Sequence, residues 1–188
     1  MPVRRKIWLW LVALGMVTLA CTIGLGGPTP PAPPITPPPE AVESLRQTWK
    51  QAVASADAEG RISVTLTEAQ LTALLAAKMA SDPDAFFQQP QVYLRDGALY
   101  IYGVVRQGNL TANMLVVLTV EIDEQGTLQL RLKEADFGPW PVPADLLSGL
   151  SAMLDEAFTG KVGPAFTGLR LESVTIADGT LTLVGRIR

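Results

Sequence analysis

Apolar and polar residues alternate along the longest regular stretch of the chain, from Asn109 to Ile122. Every even-numbered residue from Leu110 to Ile122 is apolar, whereas most odd-numbered residues there are polar. A side-chain period of two predicts a β-strand with one buried face, because successive side chains leave a strand on opposite sides. Leu115 and Val117 make the middle of the second face apolar as well. We therefore expect a strand inside a sheet that helices or lipid cover on both sides.

Shorter patterns predict the elements around this central strand. Helical spacing of apolar residues predicts amphipathic helices over residues 40–56, 67–80 and 143–158. Alternation predicts strands over residues 62–66, 92–94, 99–105, 128–132, 171–176 and 181–184. Asp-Gly dipeptides at residues 96–97 and 178–179 are typical of tight hairpin turns. The sequence thus predicts an α+β fold, in which a curved antiparallel β-sheet, made of a meander and a C-terminal hairpin, packs with two to three amphipathic helices.

The N-terminus has the layout of a bacterial export signal, because three basic residues precede the uncharged residues 7–20. Residues 17–21 resemble a lipobox, which would make Cys21 the lipid-attachment site of a lipoprotein. Residues 7–27 are also long enough to cross a bilayer as an uncleaved helix, and a plain cleaved signal is the third alternative. In the first two cases the protein is anchored to membrane lipid on the outward face of the bacterial cytoplasmic membrane.

Residues 26–39 are rich in proline. Proline lacks an N–H group and has a fixed φ, so we expect an extended polyproline-II spacer here. Twelve residues at about 3.1 Å each give it a reach of roughly 37 Å. We therefore divide the chain into a signal or membrane anchor (residues 1–21), a proline-rich extended linker (22–40) and a single α+β extracytoplasmic domain (41–188).

Composition excludes several classes of function. The 188 residues include no histidine and one cysteine, Cys21, which excludes Ser-His-Asp triads, Cys-His dyads, His or Cys metal sites and an internal disulfide. Three of the 15 basic residues lie in the leader, so the 18 acidic residues outnumber the basic ones in the rest of the chain. Such a chain lacks the basic surface that binds nucleic acid. We expect no metal and no cofactor, and the sequence identifies no protein partner.

Paired carboxylates offer the one catalytic hypothesis that the composition leaves open. Glu134 and Asp136 lie on one face of a predicted strand, roughly 7 Å apart along it. Such a pair can perform acid-base chemistry when burial separates the two pKa values. The pair lies beside a proline-rich turn, however, and the sequence offers no accompanying nucleophile or stabilising group. We therefore expect no catalytic residues and do not expect an enzyme.

Three segments carry a resemblance to known families. They are Leu-Thr-Glu-Ala-Gln-Leu at residues 66–71, Gly-Pro-Trp-Pro-Val-Pro at 138–143 and Ile-Ala-Asp-Gly at 176–179. Over residues 60–188 the chain resembles the YpmS-like family of membrane-tethered bacterial domains. More distantly it is similar to LmeA-type and other TULIP-like domains, in which a curved antiparallel sheet wraps a long helix and leaves an apolar groove for acyl chains. That resemblance implies a phospholipid or glycolipid ligand.

The expected ligand-binding residues are the apolar and aromatic side chains of the central sheet and of two loops. They are Phe86, Phe87, Tyr100, Tyr102, Leu115, Val117 and Trp140. In the lipid-binding hypothesis these residues line a groove between the sheet and the helices, and the two phenylalanines form a lid or a membrane contact. In the alternative hypothesis the same residues fill a closed core, and the protein is a structural or protein-interaction module of the cell envelope.

Overall fold

The computed structural model describes residues 23–31, 33–81, 87–139, 169–177 and 179–187. Two helices lie within these residues, α1 (Ala41–Ala54) and α2 (Glu68–Ala80). The strands are β1 (Ile23–Gly24), β2 (Arg61–Thr67), β3 (Phe87–Arg95), β4 (Ala98–Gln107), β5 (Leu110–Ile122), β6 (Leu128–Asp136), β7 (Leu169–Ala177) and β8 (Thr180–Ile187). The predicted third helix, over residues 143–158, lies outside the described residues.

The strands form two sheets. In the first sheet β4 lies between β3 and β5, and the other edge of β5 is shared by β6 and β1. β6 pairs with residues 115–122 of β5, and β1 pairs with residues 110–111. All of these pairs are antiparallel except the short β1–β5 pair. The second sheet is antiparallel with the order β2-β8-β7, so the C-terminal hairpin pairs with a strand from the start of the domain.

One hydrophobic core joins both sheets and both helices. The side chains of Met114, Val116 and Leu118 on β5 are at most 2% exposed and belong to the same core as Leu71 and Leu75 of α2. We call the face of the first sheet that carries these β5 residues the inner face, and the opposite face the outer face. The period-two pattern of β5 therefore predicted its buried face correctly.

Helix α2 covers the free edge of β3. The backbone N–H of Val92 donates to Thr72 Oγ1 (3.0 Å), and the N–H of Leu94 donates to Glu68 Oε1 (2.8 Å). Residues 67–70, Thr-Glu-Ala-Gln, form a capping box at the start of α2, with the Thr67 side chain accepting a hydrogen bond from the Gln70 N–H. Two backbone donors that an edge strand would leave unpaired are thus satisfied by helix side chains.

The proline-rich segment lies on the first sheet. We call residues 23–31 and 33–35 the strap. Next to β1, the Leu25 N–H donates to the Thr111 oxygen (2.8 Å), and the Asn113 N–H donates to the Gly26 oxygen (2.9 Å). Gly27 has a φ of +116°, and a Cβ atom at this position would lie 2.5 Å from the Asn113 oxygen, so the close approach requires glycine.

The strap then crosses β4 on the outer face and reaches β3. The Tyr93 hydroxyl donates to the carbonyl oxygen of Pro31 (3.0 Å) and lies 3.4 Å from that of Pro33. Gln91 forms two hydrogen bonds with the backbone of Ile35, one to its N–H (2.6 Å) and one to its oxygen (3.0 Å). The residues expected to be an extended spacer are therefore hydrogen-bonded to the domain.

The α+β prediction is confirmed, with one refinement of the sheet. The meander forms the first sheet, whereas the C-terminal hairpin belongs to a second sheet with β2. Helix α1 packs Leu45, Trp49 and Ala52 against the core, whereas Val53 of the same helix is 41% exposed. Among the residues described, no helix is both long enough and apolar enough to span a bilayer.

Candidate functional site

Four of the expected ligand-binding residues lie together on the outer face of the first sheet. Tyr100 of β4 stands opposite Val117 of β5, and Tyr102 stands opposite Leu115. Val117 is 1% exposed, and the other three are half-buried. Directly opposed residues share a face of the sheet, so these four side chains are neighbours.

The strap reduces the space available on this face. Tyr93, whose hydroxyl group is hydrogen-bonded to the strap, is 4% exposed. Its ring contacts the Tyr102 ring edge-on, with ring centroids 5.7 Å apart. Burial raises the pKa of both the Tyr93 and Tyr102 hydroxyls, because a buried phenolate loses hydration. The outer face is therefore largely occupied by residues of the chain itself.

Phe87 does not line the same surface as these residues. Its ring is 1% exposed and belongs to the inner core, above the position where Gly103 has no side chain. A groove lined jointly by Phe87, Tyr100, Leu115 and Val117, which the sequence analysis expected, would require side chains from opposite faces of one sheet. The placement of Phe87 corrects that expectation. This phenylalanine fills the core, as the alternative hypothesis expects.

The remaining candidates fall into two groups. Cys21, Phe86 and Trp140 lie outside the described residues. Glu134 and Asp136 are exposed, and Asp136 accepts a hydrogen bond from the Gly138 N–H (2.8 Å) that closes the turn after β6. Within the described ranges no group of three or more acidic, His or Cys residues is arranged to hold a metal ion.

An apolar surface that the sequence did not single out lies on the inner side of two edge strands. We call it the β6–β7 apolar surface. Its members are half-buried residues that pack against the core, together with Leu132, which is 39% exposed. They are Val120, Ile122, Leu128, Leu130 and Leu132 of the first sheet and Val174 and Ile176 of β7. Leu132 stands opposite the buried Leu118, which places it on the inner face.

The two edges of the first sheet differ in how completely they are covered. At the β3 edge, beside α2, the core side chains of Val92 and Leu94 are fully buried. At the β6 edge the corresponding apolar side chains remain partly accessible, and Leu132 is among the most exposed large apolar residues described. Among the described residues, the apolar side chains are therefore less completely buried along β6 and β7 than along β3.

A polar pocket adjoins this apolar surface at Ile122. Its volume is about 690 Å³. It is lined by Ile122, Asp123, Glu124, Gly126, Arg170, Leu171, Glu172, Arg186 and Ile187. The pocket forms where the second sheet meets the β5–β6 turn, because the Leu171 N–H donates to the Gly126 oxygen (2.9 Å).

Asp123 organises the turn at this pocket. Its Oδ1 accepts hydrogen bonds from the N–H groups of Thr127 (2.8 Å) and Gln125 (3.0 Å), and its Oδ2 accepts one from the Gln129 side chain (3.1 Å). These hydrogen bonds lower the pKa of Asp123 below the ordinary value of 3.8, and the bond from the Thr127 N–H has the largest effect. This carboxylate therefore already has donors within its own turn.

Three arginines stand in register across the second sheet, and two of them, Arg170 and Arg186, line the pocket together with the acidic residues Asp123, Glu124 and Glu172. Arg186 of β8 is opposite Arg61 of β2 on one side and Arg170 of β7 on the other. Glu172 lies 3.1 Å from the Arg61 guanidinium and 3.2 Å from that of Arg186. Arg170 donates to the Glu124 carbonyl oxygen (3.3 Å), and no carboxylate among the described residues is within ion-pair distance of it.

This arginine row can attract an anion. Like charges directly opposed across strands destabilise a sheet, and a single bridging carboxylate offsets only part of that repulsion. Guanidinium groups bind phosphate oxygens through paired, charge-assisted hydrogen bonds. The complete row was not recognisable in the sequence, because Arg61 joins Arg170 and Arg186 only through the pairing of β2 with β8, which are more than 100 residues apart.

One of the comparisons with known proteins finds a match, to a protein family. A family model described as LmeA-like phospholipid-binding matches residues 36–186, which is most of the chain. No curated protein and no solved structure matches the chain. The more distant of the two resemblances in the sequence is therefore confirmed, whereas the YpmS-like resemblance stays a prediction. The chain belongs to the LmeA-like phospholipid-binding family.

Proposed function

We propose that this protein binds a single phospholipid, with the acyl chains on the β6–β7 apolar surface and the phosphate at the arginine row. The observation that carries the proposal is the partial exposure of the apolar residues along β6, of which Leu132 is 39% exposed. Ile122 belongs to that surface and also lines the polar pocket. An apolar surface that continues into a pocket with guanidinium groups matches a ligand with an apolar and an anionic part.

The proposal includes the location and the absence of catalysis. The basic and apolar leader with Cys21 supports a protein that is tethered to the outward face of a bacterial membrane, by an acylated cysteine or by an uncleaved helix. Membership in a phospholipid-binding family supports a binding protein. Glu134 and Asp136, the candidate catalytic pair, are exposed rather than set in a cleft.

The acyl-chain site is tested by placing a charge on the apolar surface. Leu132→Glu puts a carboxylate where acyl chains would lie, and we expect at least an approximately tenfold loss of phospholipid affinity, about 1.4 kcal/mol. The measurement is the transfer of a pyrene-labelled phosphatidylglycerol from donor vesicles to the protein. Val53→Glu is the matched control, because Val53 is 41% exposed on α1, away from this surface. Equal transfer by both variants would refute this site.

The headgroup site is tested independently with Arg170→Gln. We expect weaker binding of phosphatidylglycerol and a smaller dependence of the affinity on salt, since one charge-assisted contact is removed. Arg46→Gln is the control, because Arg46 is an exposed arginine of α1 that pairs only with Glu43 among the described residues. If both arginine variants bind like wild type while Leu132→Glu does not, the acyl-chain site stands and the headgroup site is wrong.

One observation favours a second candidate function. The strap is hydrogen-bonded to Tyr93 and Gln91 on the outer face, beside the residues first expected to bind lipid. That arrangement suits a structural or protein-interaction module of the cell envelope. If wild-type protein takes no phospholipid from vesicles, this second candidate is the better description.

A further inference from the structure

We propose that the end of the first sheet that carries the β4–β5 turn faces the lipid bilayer to which the chain is anchored. We call this the near end, defined by Gly108 and Asn109. The far end is the opposite end of β5, defined by the turn from Asp123 to Gly126. The inference rests on the proposed membrane anchor, but it is independent of whether the protein binds phospholipid.

The position of β1 carries the inference. β1 begins at Ile23, immediately after the leader that ends near Cys21. The β1–β5 pair is parallel, with Ile23 opposite Leu110 and Gly24 opposite Thr111. In a parallel pair both strands run in the same direction, so the chain enters β1 from the side of Asn109. The anchor therefore joins the domain at the near end.

The strap leaves no free spacer between the anchor and the domain. Hydrogen bonds to the sheet begin at Leu25 and Gly26 and continue to Ile35. A free polyproline-II segment would let the domain move roughly 37 Å from the membrane. The docked segment runs across the sheet instead, and its length does not separate the domain from the bilayer.

The distance between the ends makes the inference measurable. β5 has 13 residues, and at about 3.4 Å per residue it spans roughly 41 Å. The polar pocket and the arginine row lie at the far end. The orientation consequently directs the headgroup pocket away from the membrane that holds the anchor.

Energy transfer to labelled lipids tests the orientation in the full chain. Asn109→Cys and Glu124→Cys each receive a donor dye, and the proteins are reconstituted into vesicles of phosphatidylethanolamine and phosphatidylglycerol with acceptor-labelled headgroups. Wild-type chain treated identically corrects for dye on Cys21. We expect strong energy transfer from position 109 and weak transfer from position 124. Equal transfer from the two positions, or stronger transfer from position 124, would overturn the inference.

Release of the strap provides the second arm. The double substitution Gln91→Leu and Tyr93→Phe removes the side-chain hydrogen bonds of residues 31–35 but leaves β1 paired with β5, so energy transfer from position 109 should stay strong. Gln88→Leu is the control, since Gln88 is an exposed residue of the same strand. A fall in transfer that is confined to the double variant would show that β1 does not hold the near end at the bilayer and would overturn the inference.

Two further variants and one prior measurement complete the test. Gly27→Ala should release the strap beside β1, because the added Cβ atom would clash with the Asn113 oxygen. Gly26→Ala is the control, because Gly26 also has a positive φ but a Cβ atom there would meet no other atom. Gly27→Ala should lower the transfer from position 109 more than Gly26→Ala does, and equal effects would count against the strap. If the full chain fails to float with vesicles, the orientation is refuted, whereas the comparison of Leu132→Glu with Val53→Glu still decides phospholipid binding.

Discussion

The packing of Phe87 over Gly103 leads to a quantitative prediction. An ideal Cβ atom at Gly103 would lie no farther than 2.8 Å from three carbons of the Phe87 ring. The ring is 1% exposed, so it has no free space to move into. Overpacking a core in this way costs about 1–3 kcal/mol, and we expect Gly103→Ala to lower the free energy of unfolding by an amount near the top of that range.

A double-mutant cycle isolates this contact. The two closest ring atoms, Cε2 and Cζ, are absent from leucine, so Phe87→Leu opens space above residue 103. In that background Gly103→Ala should cost nothing, or stabilise by roughly 0.5 kcal/mol, because glycine is less favourable than alanine inside a strand. The predicted coupling free energy is therefore about 2–3 kcal/mol.

Urea unfolding of the purified full chain, followed by far-UV circular dichroism, measures all four proteins of the cycle. Equal slopes with denaturant concentration would show that only stability has changed. If Gly103→Ala has the same cost with Phe87 and with Leu at position 87, the ring does not lie above Gly103. Phe87 would then be available again as a residue of an apolar groove.

Two further predictions concern single polar side chains. Thr72→Val removes the acceptor of the buried Val92 N–H, so it should lower the free energy of unfolding by about 1–3 kcal/mol. Thr65→Val is the control, because Thr65 is exposed, and it should change the free energy of unfolding by less than about 0.5 kcal/mol in the same urea titration. Asp123 has a folded-state pKa below 3.8, so its stabilising contribution is present above that value and is lost as the pH falls through the folded-state pKa. Asp123→Asn should therefore lower the urea midpoint at about pH 7. The difference in urea midpoint between the variant and wild type should shrink below about pH 4. A difference that is constant with pH would contradict the hydrogen-bond assignment.

Local patterns predicted the elements that depend on neighbouring residues. The period of two located β5, since every second side chain of that strand faces one core. The capping sequence located the start of α2, and Asp96-Gly97 located a hairpin in which both residues have positive φ. In each case the physical cause acts within a few residues, so a short window of sequence contains it.

Features that depend on distant pairing could not be predicted in this way. The pairing of β2 with β8 brings Thr67 opposite Thr180, and neither segment specifies the other through its own pattern. Local alternation also does not state whether an apolar face is covered. Leu132 and Leu118 both belong to apolar alternations, yet one is 39% exposed and the other 2%.

The proline content did not predict the contacts of this segment, and the reason is physical. A proline residue cannot donate a hydrogen bond, so a proline-rich segment does not form the interior of a sheet ladder. Its carbonyl oxygens remain acceptors, however, and the Tyr93 hydroxyl binds that of Pro31. Gln91 then binds Ile35, a residue of the segment that retains its N–H. A polyproline segment can therefore be a good ligand for a polar and aromatic surface, as it is in peptide recognition.

The covered edge of β3 has a consequence for association between molecules. A sheet grows by adding a strand from another chain to exposed N–H and C=O groups, and Glu68 and Thr72 of α2 already occupy two of the N–H groups on β3. Substitutions that loosen α2 would expose those groups beside the fully buried apolar residues Val92 and Leu94. We therefore expect such variants to form intermolecular β-sheet and aggregate through β3, at an edge that the native protein keeps closed.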